Sequence, residues 1–435
     1  MATVCIDGFN LALQQGSGIA TYGRNLLTDL HAIGHQTQVL YGPKGRVSGP
    51  DIVKEAVLVD GSKAGRALNP VERYVEALTA PAGKIAHYIP RSGNVLWPED
   101  GAAQPPNSSF WASRELFRTS HRAFQKYGRF SKVKFRGAPA PDVCHWTTPL
   151  PLYAPGSLNI CTIHDLIPLR LPHSTSDDKR TFFDLFHMSA TKADHVVTVS
   201  ETTRLDVISH LGIPPSKVTN VYQSVDVASS VSGLDSSILA IVLRDTFGLE
   251  WKQYYLHYGN IEPKKNLGRI VEAYSQSLTQ KKLVIVGGKG WLQDNEVSLL
   301  NEIRSTENPL SNRIVYLDYL PHATLATLIT GARATLFPSL YEGFGLPIIE
   351  SMALGTAVLT TNFGAPREIA GQSALLVDPF SVRSIKEGIL ALENDETVLS
   401  MASRGTERAA RFEPVRIQSS LKEVYEHVIQ TCRRI

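Results

Sequence analysis

The 435-residue sequence holds only four cysteines and no long apolar run. Cys5, Cys144, Cys161 and Cys432 are widely scattered without metal-ligand spacing. That pattern excludes a disulfide framework and a structural zinc site, and points to reduced thiols. No stretch approaches the roughly 20 apolar residues that a membrane-spanning helix needs. The opening residues, Met1-Ala2-Thr3-Val4-Cys5-Ile6-Asp7, lack the charged region and apolar core of a signal peptide. A cytoplasmic protein is therefore expected. Net charge is only +3, too small to argue for nucleic acid.

What the chain has is alternation. Its length exceeds one ordinary core and predicts two large domains. Short apolar, β-branched runs occur at Thr3–Ile6, Gln38–Tyr41, Ala56–Val59, Val143–Trp146, Asn159–Ile163, His195–Val199 and Val218–Tyr222. A helix is expected from about Ile19 to His31. The Ser-rich stretch Val227–Ser237 reads as a linker. A second series of strands follows at Tyr254–Tyr258, Leu283–Val286, Ile314–Leu317, Ala334–Phe337, Ala357–Thr361 and Ala374–Val377, with helical patterns at Leu267–Ser277 and Thr324–Ala332. Strands alternating with helices in both halves predict an α/β protein with two doubly wound parallel sheets. Ligands in such sheets bind beyond the carboxyl ends of the strands.

The richest segment is Phe337-Pro338-Ser339-Leu340-Tyr341-Glu342-Gly343-Phe344-Gly345-Leu346-Pro347-Ile348-Ile349-Glu350. It reads as strand end, glycine loop and short helix, with Pro347 in the first turn and Gly355 past the end. A glycine loop before a helix N-terminus offers free N–H groups to an anion. Glu342 in the loop and Glu350 on the helix add carboxylates that accept from vicinal hydroxyls. This chemistry suits a ligand that is both phosphorylated and polyhydroxylated.

Four more turns stand out. Gly259-Asn260-Ile261-Glu262-Pro263-Lys264-Lys265-Asn266 follows a strand, and its lysines either neutralise a diphosphate or point to water. Leu283-Val284-Ile285-Val286-Gly287-Gly288 ends another strand in glycines, as many α/β strands do. Ile163-His164-Asp165-Leu166-Ile167-Pro168 follows a third strand, and Asp165 either orients the His164 ring or caps the next turn. Gly16-Ser17-Gly18 opens the first helix but does not give Gly-x-Gly-x-x-Gly. A tight turn requiring φ > 0 explains these glycines as well as a ligand does.

Glu-Gly-Phe-Gly-Leu-Pro, with glutamates at 342 and 350, resembles the signature of glycosyltransferase family 4, the retaining enzymes of GT-B fold. The resemblance implies two Rossmann-like domains facing a cleft, 1–235 on the acceptor side and 236–435 on the nucleotide-sugar side, with the last helix crossing back. It implies that Glu350 holds the donor ribose and that Glu342 lies against the transferred sugar. The amides of Phe344, Gly345 and Leu346 would meet sugar and diphosphate. Lys265 would grip the diphosphate. Asn260 stands where many members carry arginine, and Lys264 would compensate. Gly287 and Gly288 would line the nucleotide, His164 with Asp165 would approach the sugar, and Gly16 and Gly18 would sit at the cleft. Catalysis would rest on Glu342, His164 and Lys265. No Asp-x-Asp motif precedes a suitable strand, in keeping with a reaction that needs no cofactor or metal. Together with His-Asp-Leu-Ile-Pro, the segment resembles bacterial mannosyltransferases of surface-polysaccharide assembly. GDP-mannose is the first expected donor and a UDP-sugar the next, with a lipid-linked or glycan acceptor. Rival readings are an epimerase of the same fold, for which no acid–base set is evident, and a silent sugar-nucleotide-binding subunit, against which Glu342, Lys265 and Glu350 speak.

The segment from Trp111 to Arg136 is basic, with eight Lys or Arg against Glu115 alone. Arg114, Arg118, Arg122 and Lys126 recur every four residues and are expected to stripe one helix, with Trp111, Leu116, Phe117, Phe124 and Phe130 around it. Such a helix suits either an anionic membrane surface, on the inner face of the plasma membrane, or a solvated face over the core. It lies in a basic insert around 45–140, and the stretch before it, about Pro43 to Ser109, reads as irregular.

Overall fold

The computed structural model describes residues 1–11, 18–45, 47–59, 69–79, 82–96, 109–227, 235–288, 298, 302, 310 and 312–432. Strands β1 (Thr3–Asp7), β2 (Gln36–Tyr41), β3 (Lys84–Pro90), β4 (Ser109–Ala112), β5 (Ser131–Arg136), β6 (Val143–Trp146), β7 (Leu152–Tyr153), β8 (Leu158–Ile163), β9 (His195–Thr198) and β10 (Val218–Asn220) form one sheet. Their order is β10-β9-β8-β6-β1-β2-β4-β3-β5-β7. β3 pairs antiparallel with β4, and the other pairings are parallel. β1, β6 and β8 are apolar and buried over most of their length, as strands covered on both faces must be.

The second sheet contains β11 (Tyr254–Tyr258), β12 (Lys282–Val286), β13 (Ile314–Leu317), β14 (Ala334–Phe337), β15 (Ala357–Thr361) and β16 (Leu375–Val377), all parallel, in the order β13-β12-β11-β14-β15-β16. The strand order reverses between β11 and β14. A crevice opens at that reversal beyond the carboxyl ends, where the loops carrying Lys265 and Glu342 emerge.

The helix Pro414–Cys432 returns to the first sheet. Tyr425 is fully buried there, its hydroxyl 2.6 Å from His145 Nδ1, and Gln418 donates to Asp29 on the helix Gly18–Ala32 at 2.9 Å. Val225 N–H bonds to the Phe412 carbonyl where the chain crosses (3.0 Å).

Some expectations change. Ala56–Val59 is the end of a helix, Asp51–Val59, not a strand. A four-residue apolar run does not distinguish the two. Asp51 in the first turn and the inward pair Glu55 and Leu58 decide for helix. Glu55 is buried and accepts from Ser92 N and Oγ at 2.7 and 2.6 Å. The stretch read as irregular contributes β3 to the sheet, and the basic remainder of the insert contributes β4 and β5. Of the expected linker, 228–234 lies outside the described residues, and Ser236 and Ser237 open the helix Ser236–Phe247.

The basic stripe is shorter than expected. The helix runs Leu116–Tyr127, after Glu115 in a left-handed conformation (φ 49°). Arg114 therefore precedes the helix, and only Arg118, Arg122 and Lys126 share its face. Trp111 is fully buried in β4, and Leu116, Phe117, Phe124 and Phe130 are buried too. That helix spends its apolar half on the core. Among the described residues no helix is long and apolar enough to cross a membrane.

Candidate active site

After β14 the chain forms the glycine loop and the helix Leu346–Ala353. Gly345 adopts φ 103°, a conformation that favours glycine, and Pro347 occupies the first turn. Glu350 is half-buried, and burial raises its carboxyl above the ordinary value. Tyr258, at the end of β11, donates to Glu350 Oε2 and to the Pro347 carbonyl, each at 3.0 Å. Among the described residues Glu350 Oε1 has no partner.

The lysine turn is clamped to this loop. Asn266, left-handed at φ 65°, donates its side-chain amide to the carbonyls of Pro338 (2.9 Å) and Pro379 (2.7 Å). Leu340 N–H bonds to the Lys264 carbonyl at 2.8 Å. Lys265 Nζ thereby reaches Glu342 Oε1 at 2.6 Å and lies 4.6 Å over the Phe337 ring. Burial pushes the Glu342 carboxyl up, but the ammonium groups of Lys265 and Lys264 outweigh it and hold it below its ordinary value. Burial pushes Lys264 down, yet Glu342, Asp165 and Glu262 win and raise it, with Glu262 at 3.4 Å. Asn260 is exposed, and among the described residues no hydrogen bond joins it to either lysine. Gly287 is buried behind the turn. A Cβ there would meet the Gly259 carbonyl carbon at 3.2 Å, and the Gly288 carbonyl accepts from Ile261 N–H (3.2 Å).

The first sheet supplies the opposite wall. His164, just past β8, donates from Nε2 to the Thr147 carbonyl at 2.8 Å. Burial lowers its pKa, so the ring is neutral and Nδ1 is the unprotonated nitrogen. Thr147 N–H bonds in turn to Asp7 Oδ2, at the end of β1. Burial raises the Asp7 carboxyl to about 6 despite that bond. The Tyr22 ring meets His164 edge-on, with centroids 4.8 Å apart. Its hydroxyl joins a buried chain through Thr162 (2.8 Å) and His145 (2.7 Å) to Tyr425. Asp165 accepts from Ile167 N–H at 3.0 Å. It caps the next turn, and its charge acts on Lys264.

The walls touch. A Cβ on Gly343 would lie 2.9 Å from the His164 carbonyl carbon and 3.0 Å from Asp165 Cβ, nearer still to the His164 oxygen. Thr203 Oγ1 donates to that same oxygen at 3.0 Å. Gly18 opens its helix beside Leu346, 3.6 Å from where its Cβ would stand, and its φ is not left-handed. Gly16 lies outside the described residues. The structure thus brings Glu342, Lys265, Lys264, His164, Asp165 and Gly18 to one seam, with Glu350 a helical turn further along.

Sequence reasoning missed the residues that hold the seam. Glu368, in the second half, accepts from Glu201 N (2.6 Å), Thr202 N (2.8 Å) and Thr202 Oγ1 (2.7 Å), capping a helix of the first half. Tyr341 donates to Asp206, and the Arg170 guanidinium lies 5.5 Å from the Tyr341 ring centroid. Ser200 caps that helix locally by accepting from Thr203 N–H at 3.0 Å, but nothing local announces a second cap 166 residues away.

Comparison with known proteins agrees with this construction. A family model described as Glycosyltransferase Family 4 matches residues 16–229, and one described as Glycosyl transferases group 1 matches residues 244–412. O-antigen chain mannosyltransferase B of Escherichia coli is 28% identical over 259 residues, 58% of this chain and 66% of that protein. A serotype-specific mannosyltransferase of Escherichia coli is 26% identical over 262 residues, 58% of this chain but 31% of its own length. The chain thus spans less than two thirds of these relatives. Sucrose-phosphate synthase from Thermosynechococcus elongatus superposes with a TM-score of 0.68 at 16% identity, covering 99% of this chain and 100% of that one. Two matched halves in sequence and a two-sheet GT-B architecture in space make the chain a member of glycosyltransferase family 4.

Proposed function

We propose that the chain is a retaining hexosyltransferase that moves mannose from GDP-mannose to a hydroxyl of a glycan or lipid-linked acceptor in cell-surface polysaccharide assembly. The carrying observation is the Lys265–Glu342 pair at 2.6 Å, at the strand-order reversal and against the seam with His164. The mannosyltransferase relatives, one of them an O-antigen chain enzyme, support mannose and a surface polysaccharide.

In this reading Glu350 takes the ribose hydroxyls on its free oxygen, and Lys264 and Lys265 face the diphosphate. The anomeric C–O bond breaks, and its electron pair leaves with the diphosphate. The acceptor oxygen bonds to the anomeric carbon on the same face, and its proton passes to the departing phosphate oxygen. The lysines and the loop amides stabilise the growing negative charge without a metal ion, by electrostatic preorganisation. Glu342, kept ionised by the lysines, orients sugar hydroxyls. His164 Nδ1 accepts from a sugar hydroxyl, with Asp7 and Thr147 holding the ring. Arg118, Arg122 and Lys126 support work beside an anionic membrane.

The test is thermal shift with GDP, UDP, ADP and their sugar conjugates, in EDTA, on the native chain and Glu350→Ala. A ligand that binds only the folded state raises the melting temperature. Stabilisation by GDP that weakens by about 1.5–3 kcal/mol of binding in the variant is expected. Stabilisation by UDP alone refutes the base, and equal affinity in a folded Glu350→Ala refutes the ribose role.

A further inference from the structure

The helix Pro70–Thr79 turns an apolar face to solvent. Val71, Tyr74, Val75 and Leu78 stand at i, i+3, i+4 and i+7, so they share one side of it. They are 72, 56, 50 and 53% exposed. Monomeric soluble proteins rarely leave such a contiguous patch uncovered. The helix is well begun: Asn69 Oδ1 accepts from Glu72 N–H and Glu72 Oε2 from Asn69 N–H, both at 2.8 Å. That reciprocal cap occupies the Glu72 carboxylate.

Cations border the patch. Lys126 Nζ sits 4.3 Å over the Tyr74 ring, and Lys126 belongs to the helix that also carries Arg118 and Arg122. A few residues past Leu78, a Cβ on Gly83 would meet Lys134 Cε at 3.4 Å. Strand β5, Ser-Lys-Val-Lys-Phe-Arg, buries its Ser131 and Val133 and exposes Lys132, Lys134 and Arg136. Neither the helix Leu116–Tyr127 nor β5 contains an acid. An apolar stripe with cations along its flank matches the headgroup–acyl boundary of an anionic bilayer, where apolar side chains enter and Lys or Arg meet phosphates.

We infer that this surface seats the protein on an anionic lipid bilayer, with Val71, Tyr74, Val75 and Leu78 inserted and the six cations resting on the headgroups. The inference rests on the membrane-side part of the proposed function and is independent of its chemistry. It moves the anchor from the Leu116–Tyr127 helix, whose apolar half is buried, to its neighbour.

The test is co-sedimentation of the full chain with vesicles of phosphatidylcholine, with and without phosphatidylglycerol, at low and high salt. The native chain is expected to bind the anionic vesicles and to keep part of that binding in high salt. Val71→Ser/Leu78→Ser should lower partitioning about tenfold or more and remove the salt-resistant part. Lys132→Glu/Lys134→Glu should remove the dependence on phosphatidylglycerol. The indole introduced by Tyr74→Trp should shift its emission to the blue on anionic vesicles. Native-like binding by the serine variant, or no blue shift, overturns insertion. No vesicle binding by the native chain overturns the whole inference. A lipid-free dimer that the serine substitutions dissociate overturns it in favour of a second copy of the chain. The thermal shift with GDP, run on every variant, reads the donor site separately, so failure there leaves the membrane result standing.

Discussion

Gly343→Ala adds one methyl group where the two halves meet, and the geometry there sets its consequence. Gly343 is not among the residues with left-handed φ, so alanine meets no backbone penalty. The whole cost arises across the seam. The new carbon would stand 2.9 Å from the His164 carbonyl carbon and 3.0 Å from Asp165 Cβ. Carbon atoms settle at about 3.5–4.0 Å, so the walls must part by roughly 1 Å. Neither neighbour yields cheaply, because one is backbone and the other is pinned by its bond to Ile167 N–H. Parting the walls moves His164 away from Glu342 and stretches the Thr203 bond. A displacement of this size costs about 100-fold in rate, or about 2.7 kcal/mol in the barrier. Overpacking adds about 1–3 kcal/mol of instability, a fall of several degrees in melting temperature. The Glu350–Tyr258 pair lies beyond the contact, so the Kd for nucleotide should not change. The assay is steady-state transfer with the donor found by thermal shift, alongside nucleotide titration and X-ray scattering. Native kcat/KM in Gly343→Ala, or a loss explained entirely by weaker nucleotide binding, would refute the reasoning.

Two further perturbations follow from the same geometry. Lys265→Met removes the cation 2.6 Å from Glu342 and lets burial raise that carboxyl. In the native chain the Glu342 pKa is depressed, so its contribution is present above the unfolded pKa and lost as pH falls through the folded one. In the variant the sign reverses, and stability relative to native recovers as pH falls from 7 toward 4. Breaking a buried pair costs about 3–5 kcal/mol, so melting curves against pH should diverge most at neutrality, and parallel curves would sink the assignment. Glu368→Ala strips the cap from Glu201 N, Thr202 N and Thr202 Oγ1. A loss of about 1–3 kcal/mol and a larger radius of gyration are expected, and unchanged melting and scattering would show that Glu368 does not hold the halves together.

Much of this architecture was legible in the chain. β6, β11, β13, β14 and β15 begin and end where their apolar runs do, because buried parallel strands must be continuously apolar. The helix Leu267–Ser277 also matches its pattern, and the Glu342 loop announced itself by glycines before a helix start. These features depend on neighbours in sequence. The insert was harder, because in β5 exposed cations alternate with more buried residues and that charge drew attention to a helix, while β3 carries one lysine and exposes Ile85, so neither shows the plain apolar run of a buried strand.

The sequence by itself determined the two sheets, the loops that carry chemistry and the residue types in them, since local pattern and turn chemistry specify these. Only the tertiary structure decided that Lys265 pairs with Glu342, that Thr147 links Asp7 to His164, that Glu368 caps a helix of the other half, and that the helix Pro70–Thr79 keeps an apolar face uncovered. Each of these joins residues distant in the chain or depends on which faces are already covered, and such pairings exist only once strand order has brought the carboxyl ends of both sheets together.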